Sequence, residues 1–293
     1  MKVISFVMDP DIKEKGFKIF KNFFDNDEIN QAKQIAHKKY FNNQKKDYID
    51  WDDPELWELI CNNKIISLLS KVFNGNFYYM HDSAVNIDNL GPNFTWHRDN
   101  PCRRIGIGPD WDNNFEYNVF TAIIYLEDTN ATNTSLSVIP KSHKLKFKKS
   151  FFHILRFVHY RIKDIKILKV FKKLIEFLIS KEIIYEAGDL VLFHCNLLHG
   201  GLSRINRSSK RTALVIRYGG EGVHSENYIN YELNYRHGKN KYNFCKNKEK
   251  FFLKLKENKI YTSPNVKKKH IEGITIPRFE DQDIVIYGSK LNK

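Results

Sequence analysis

The sequence predicts a mainly β protein, an antiparallel sandwich or jelly roll with helices flanking it. Three observations carry that prediction. From residue 76 onward, apolar residues fall into short runs separated by Asn, Asp, Gly and Thr clusters, without the alternating helices that a parallel sheet requires. The first 75 residues space their apolar positions at three and four, the period of a helix that buries one face. A lysine-rich stretch at 150–184 has the same period. A chain of 293 residues buries a full core, and neither composition nor a linker divides it. We therefore expect one domain over 1–293: a helical N-terminal layer at 1–75, a β core at 76–220 with a basic helical insertion at about 145–184, and a C-terminal extension at 221–293.

In chain order, Gly16-Phe17-Lys18-Ile19-Phe20 reads as a short strand. Asp25 and Glu28 form a capping pair ahead of Ile29, Ala32, Ile35 and Ala36. Asp53-Pro54 opens a second helical region, carried by Leu56, Leu59, Ile60, Ile65, Ile66, Leu68, Leu69 and Val72, and Asn74-Gly75 stops it. Strands are expected at 77–80, 84–87, 119–126, 135–140, 189–194 and 212–218. Between the fourth and fifth of these, 150–184 should form one or two amphipathic helices. In the polar tail, a helix is expected near 247–257 and a strand at 284–286.

The net charge of +14 is concentrated. Residues 141–182 hold thirteen Lys and Arg against Asp164, Glu176 and Glu182, so that one segment supplies +10. Three readings fit it: a solvated helical lid, an attractor of an anionic substrate or carrier such as a coenzyme A thioester, acyl carrier protein or phosphorylated sugar, and a helix lying on a membrane surface. No nucleic-acid-binding motif accompanies the charge. No run of eighteen apolar residues exists, and the N-terminus lacks a secretory cleavage pattern, so the chain is expected to be cytoplasmic, with a peripheral membrane contact as a variant of that reading. Cys61, Cys102, Cys195 and Cys245 are widely separated, which favours free thiols over a zinc site or a disulfide framework.

The chemistry begins at Asn93-Phe94-Thr95-Trp96-His97-Arg98-Asp99-Asn100-Pro101. On a strand, His97 and Asp99 share a face, so an imidazole nitrogen and a carboxylate oxygen could bind one metal ion. That is two thirds of a two-histidine, one-carboxylate facial triad; the competing reading is a structural His–Asp hydrogen bond. His199, ahead of Gly200-Gly201 and just after a predicted strand, is the best third ligand, with His194 its rival. Arg211, twelve residues on, could clamp a dicarboxylate with its planar fork, in competition with Arg207, Lys210 and Arg217.

These motifs together resemble the phytanoyl-CoA dioxygenase family of Fe(II)/2-oxoglutarate-dependent oxygenases. The resemblance is carried by Glu14-Lys15-Gly16-Phe17, Trp96-His97-Arg98-Asp99, Val138-Ile139-Pro140-Lys141-Ser142-His143-Lys144, Ala187-Gly188-Asp189-Leu190-Val191-Leu192-Phe193-His194 and Leu198-His199-Gly200, with Arg211 beyond, in matching order across 14–218. It implies a double-stranded β-helix (a cupin-like jelly roll), Fe(II) on His97, Asp99 and His199, and 2-oxoglutarate held through its far carboxylate by Arg211. Asn86, Phe120, Thr121 and Tyr79 are candidates to line the 2-oxoglutarate pocket, against the ordinary role of strand aromatics in the core. The implied reaction consumes dioxygen and 2-oxoglutarate, releases succinate and carbon dioxide, and hydroxylates an aliphatic carbon of a small or carrier-linked substrate. Asp99 takes the position that a halide occupies in halogenating relatives, so hydroxylation is expected over chlorination. The chain departs from the family pattern at Gly201, where many relatives have a hydroxyl that Ser203 could replace, at Arg98, where they have glutamine, and in the long basic insertion. The alternative is a jelly-roll binding or regulatory protein that keeps the fold without turnover.

Overall fold

The computed structural model describes residues 9–40, 47–48, 54–74, 76–88, 97–99, 118–132, 134–144, 179–203, 211–220, 225 and 248–260. The predicted helices at 150–178 and the strand at 284–286 lie outside these residues.

The N-terminal layer holds α1 (Pro10–Lys15), β1 (Phe17–Phe20), α2 (Asn26–Tyr40), β2 (Asp47–Tyr48), α3 (Pro54–Ile60) and α4 (Asn63–Phe73). Gly16 ends α1 in the left-handed conformation at φ 85°, and its N–H donates to the Ile12 carbonyl. The capping pair at α2 is reciprocal: Asp25 N–H donates to Glu28, and Glu28 N–H to Asp25. Where the sequence predicts one helical region from residue 53 to 74, the chain forms two. Asn62 interrupts it in extended conformation and accepts from Lys64 N–H, which restarts the helix as α4; Asn74 closes that helix in the left-handed region. The asparagine sits between two apolar runs in matching helical phase, which is why periodicity alone does not show the break.

The β core comprises β3 (Phe77–Asp88), β4 (Val119–Tyr125), β5 (Thr134–Val138), β6 (Lys181–Ile183), β7 (Leu190–His194), β8 (His199–Ser203) and β9 (Arg211–Gly220), with the short α5 (Thr129–Thr132) before β5 and α6 (Lys248–Glu257) in the tail. Two expected strands at 77–80 and 84–87 are one long β3, with a register shift between Tyr79 and Ser83 that accounts for the break in pattern. Residues 181–183, assigned by sequence to the end of the helical insertion, form β6 and pair with β5. Strand β8 reads as a loop in sequence because of its two glycines. It exists because Thr134–Val138 offers it an antiparallel partner.

The strands form two antiparallel sheets, ordered β1-β7-β4-β9-β3-β2 and β6-β5-β8. The protein is a jelly roll, and the described residues form two cores. Leu190, Leu192, Leu214, Ile216 and Tyr218 on one face of the large sheet pack against the helices through Ile29, Ala32, Trp57, Ile65, Leu69 and Phe251. On the opposite face, Val191, Phe193, Ile123 and Ala213 meet Leu136, Val138 and Ile183 of the small sheet. The Tyr218 hydroxyl donates to the Ile60 carbonyl at 2.7 Å, and its full burial raises its pKa well above 10. No described helix is long and apolar enough to cross a membrane.

Candidate metal centre

The site forms where residues 97–99 join the edge of β8. His97 N–H donates to the His199 carbonyl at 2.9 Å and His199 N–H returns the bond at 3.0 Å, an isolated antiparallel bridge that brings the two imidazoles to 4.3 Å between centroids. Asp99 N–H donates to the Cys195 carbonyl at 2.7 Å, so the segment is tied at both ends.

His97 Nε2 lies 3.7 Å from Asp99 Oδ1, and His199 Nε2 lies 3.6 Å from Asp99 Oδ2. One donor atom from each of the three residues falls within 4.8 Å of the others. Asp99 and His199 are buried, while His97 is partly open to solvent. His199 Nδ1 stands 2.9 Å from the Leu197 carbonyl. A carbonyl only accepts, so Nδ1 carries a proton, and Nε2 is the ring nitrogen left to bind a metal. Two imidazoles and one carboxylate, with one tautomer set from behind, suit Fe(II) in a facial arrangement with open positions. Drawing the donors onto one ion asks for shifts of about 1 Å.

The register explains which neighbours reach Asp99. Thr121 on β4 is paired with both Phe193 on β7 and Arg217 on β9, so the three share the inward face. Thr121 Oγ1 donates to Asp99 Oδ2 at 3.1 Å, and the Arg217 guanidinium reaches the same oxygen at 2.9 Å. Cys195 Sγ sits 3.3 Å from Thr121 Oγ1. The Phe193 ring backs His199 at 4.6 Å.

The remaining candidates separate. His194, the rival ligand, lies on the other face of β7, where its Nδ1 accepts from Asn196 N–H and its ring meets Phe120 and His143. Phe120 points the same way, into the helix-side core against Phe73, so unlike its neighbour Thr121 it does not face the metal site. Tyr79 is also in that core. Asn86 pairs with Ala213 in the β3–β9 ladder. Arg211 opens β9 opposite Asp88, six residues from Arg217, about 20 Å along the strand. Arg98 turns from the metal side: its guanidinium donates to the Ser142 carbonyl at 2.9 Å, and burial lowers its pKa to about 10, so it stays charged at neutral pH.

A family model described as phytanoyl-CoA dioxygenase (PhyH) matches residues 12–213. The chain belongs to that family. Comparison with curated protein sequences finds no match. Among solved structures, metal-free HygX from Streptomyces hygroscopicus aligns with a TM-score of 0.53 at 15% identity, covering 71% of this chain and 83% of that one. HygX with nickel and 2-oxoglutarate bound aligns at 0.51 and 16% identity, over 71% and 84%. The non-haem α-ketoglutarate-dependent epimerase SnoN of nogalamycin biosynthesis aligns at 0.51 and 11% identity, over 72% and 78%. At these identities the likeness is one of fold, the jelly roll of the phytanoyl-CoA dioxygenase family. Thr121 was a candidate for the cosubstrate pocket and Arg217 a rival anion clamp; both are found on Asp99. The period-two alternation of β9, which puts Arg217 on the face of Ala213, was the available signal for Arg217.

Proposed function

We propose that this phytanoyl-CoA dioxygenase family member is an Fe(II)- and 2-oxoglutarate-dependent dioxygenase that hydroxylates an aliphatic carbon of a small or carrier-linked substrate. The observation that carries this reading is the convergence of His97, Asp99 and His199, with the His199 tautomer fixed by the Leu197 carbonyl. When bound, Fe(II) and 2-oxoglutarate supply the oxidising chemistry, consuming dioxygen and releasing succinate and carbon dioxide. The chain's residues bind and orient. His97, Asp99 and His199 would hold the ion, and the Phe193 ring packs against His199.

On family pattern we assign Arg211 to the distal carboxylate of 2-oxoglutarate; its backbone stands about 20 Å along β9 from Arg217, so its side chain has to reach back along the inward face, and Arg217 is the competing clamp. Asp99, as a carboxylate ligand, supports hydroxylation over halogen transfer. What a fold relative binds favours a small molecule: HygX has been crystallised with hygromycin B bound. The +10 charge of 141–182 favours an anionic substrate or carrier, or an anionic membrane surface beside which a cytoplasmic enzyme would work.

The test is succinate release from 2-oxoglutarate with Fe(II) and dioxygen, with and without candidate substrates. His199→Ala should lower it more than about 100-fold through lost metal. Arg211→Ala should raise the 2-oxoglutarate KM by about 10-fold or more while leaving metal affinity alone, the size expected for losing a charge-assisted bond. Cosubstrate binding with no succinate under any substrate would return the protein to a non-catalytic role.

A further inference from the structure

Asp99 receives two donors on a single oxygen. Thr121 Oγ1 and the Arg217 guanidinium both bond Oδ2, at 3.1 and 2.9 Å, from register-paired positions on β4 and β9. A carboxylate oxygen offers about two lone-pair sites, so these donors account for Oδ2 and give the cation to Oδ1, 3.7 Å from His97 Nε2; His199 Nε2, now 3.6 Å from Oδ2, would have to turn toward Oδ1 as the ion binds. The proton order follows. An ionised carboxylate only accepts, so the Thr121 hydroxyl spends its one hydrogen on Asp99. Cys195, 3.3 Å away, therefore donates its thiol hydrogen to the Thr121 oxygen. The Cys195 carbonyl meanwhile holds the Asp99 backbone.

We propose that Arg217 and Thr121 are the positioning residues of the Asp99 ligand, occupying Oδ2 so that Asp99 binds the metal through Oδ1 alone. This rests on the metal reading of the triad. Its consequence is a count of coordination positions. A one-oxygen Asp99 beside two imidazoles leaves three positions of an octahedral ion, enough for a chelating 2-oxo acid and dioxygen, whereas a two-oxygen Asp99 leaves two. Arg217, with a side chain only 10% exposed, is thereby also given a carboxylate partner in a poorly solvated place.

The experiment measures Co(II) binding to the full chain by calorimetry and visible absorption, without 2-oxoglutarate, so it does not depend on turnover. Arg217→Met should weaken Co(II) binding by about 10–100-fold and shift the visible bands, and Thr121→Val should act in the same direction. Arg217→Lys, whose ammonium can donate to the same oxygen, should recover most of the loss, and it serves as the reading if the methionine variant melts prematurely without metal. Two results overturn the proposal. In one, Arg217→Met binds Co(II) within about twofold of wild type; a loss of 2-oxoglutarate affinity in a separate titration would then place Arg217 on the cosubstrate. In the other, wild type binds no Co(II), and the metal reading falls with it.

Discussion

At the level of single residues, the candidate centre is three side chains whose orientation is set by neighbouring atoms. Leu197 fixes the His199 tautomer, and Thr121 and Arg217 hold Asp99. The His97–Asp99 pair was legible in sequence because an i, i+2 spacing on an extended segment is a local property. The choice of His199 over His194 rested on Gly200-Gly201 and the family pattern, since strand alternation left the face of His194 open; the register puts that ring on the face opposite Phe193. Arg217 could not be ranked over Arg211 from sequence, since both fall on one face of β9 and only the cross-strand register with Thr121 shows which one reaches Asp99. Arg98 was the least legible, and its contact with Ser142 shows why. It acts across 44 residues of chain, tying the metal segment to the turn at Ser142–Lys144, whose Ser142 Oγ accepts from Leu198 N–H next to His199. Arg98→Met should therefore lower stability by about 1–3 kcal/mol, read from denaturant unfolding. Once folded, the variant should keep Co(II) affinity within about threefold of wild type; a larger loss would put Arg98 in the metal machinery.

At the level of elements, three of the motif blocks meet at one place. The turn after α1 packs on the turn after β5: Lys141 N–H donates to the Lys15 carbonyl, and His194 N–H to the Gly16 carbonyl. Gly16 is required twice over, by its φ of 85° and because a Cβ there would meet His143 Nδ1 at 2.3 Å. His143 packs into this junction, with Nε2 at 3.2 Å from the Lys13 carbonyl. Burial pushes its pKa below the ordinary 6.5, outweighing the opposing pull of the Lys13 carbonyl. The neutral ring is thus favoured in the folded state, and the unfolded chain binds more protons near its own pKa. The contribution is complete above 6.5 and lost as pH falls through that value toward the folded pKa. Melting temperature should fall between about pH 7.5 and 5.5, and His143→Gln should flatten that decline. An unchanged slope in the variant would assign the acid sensitivity elsewhere. Elements with strong apolar period, β4, β7 and β9, were legible from sequence; β8 and β6 were not, because they are strands only by virtue of β5 between them.

For the whole molecule, the order of motifs along 14–218 carried more than any one motif, and the fold explains their cohesion. The large sheet brings Thr121 and Arg217 to Asp99, and the small sheet brings His199 to His97. The helices take the opposite face of the large sheet, away from the metal site, which leaves the space between the sheets to the chemistry. The substrate was not legible, since the charge that bears on it is gathered in 141–182 and a charge run is compatible with a solvated lid, an anionic ligand or a membrane surface alike. The central claim is that His97, Asp99 and His199 form one iron site that accepts 2-oxoglutarate as a chelate. Its most direct test is an anaerobic titration of the protein with Fe(II) and 2-oxoglutarate, followed by visible absorption. A weak charge-transfer band should grow to saturation at one equivalent in wild type and be missing from Asp99→Ala. A flat spectrum in wild type, or the same band in the variant, would contradict the account.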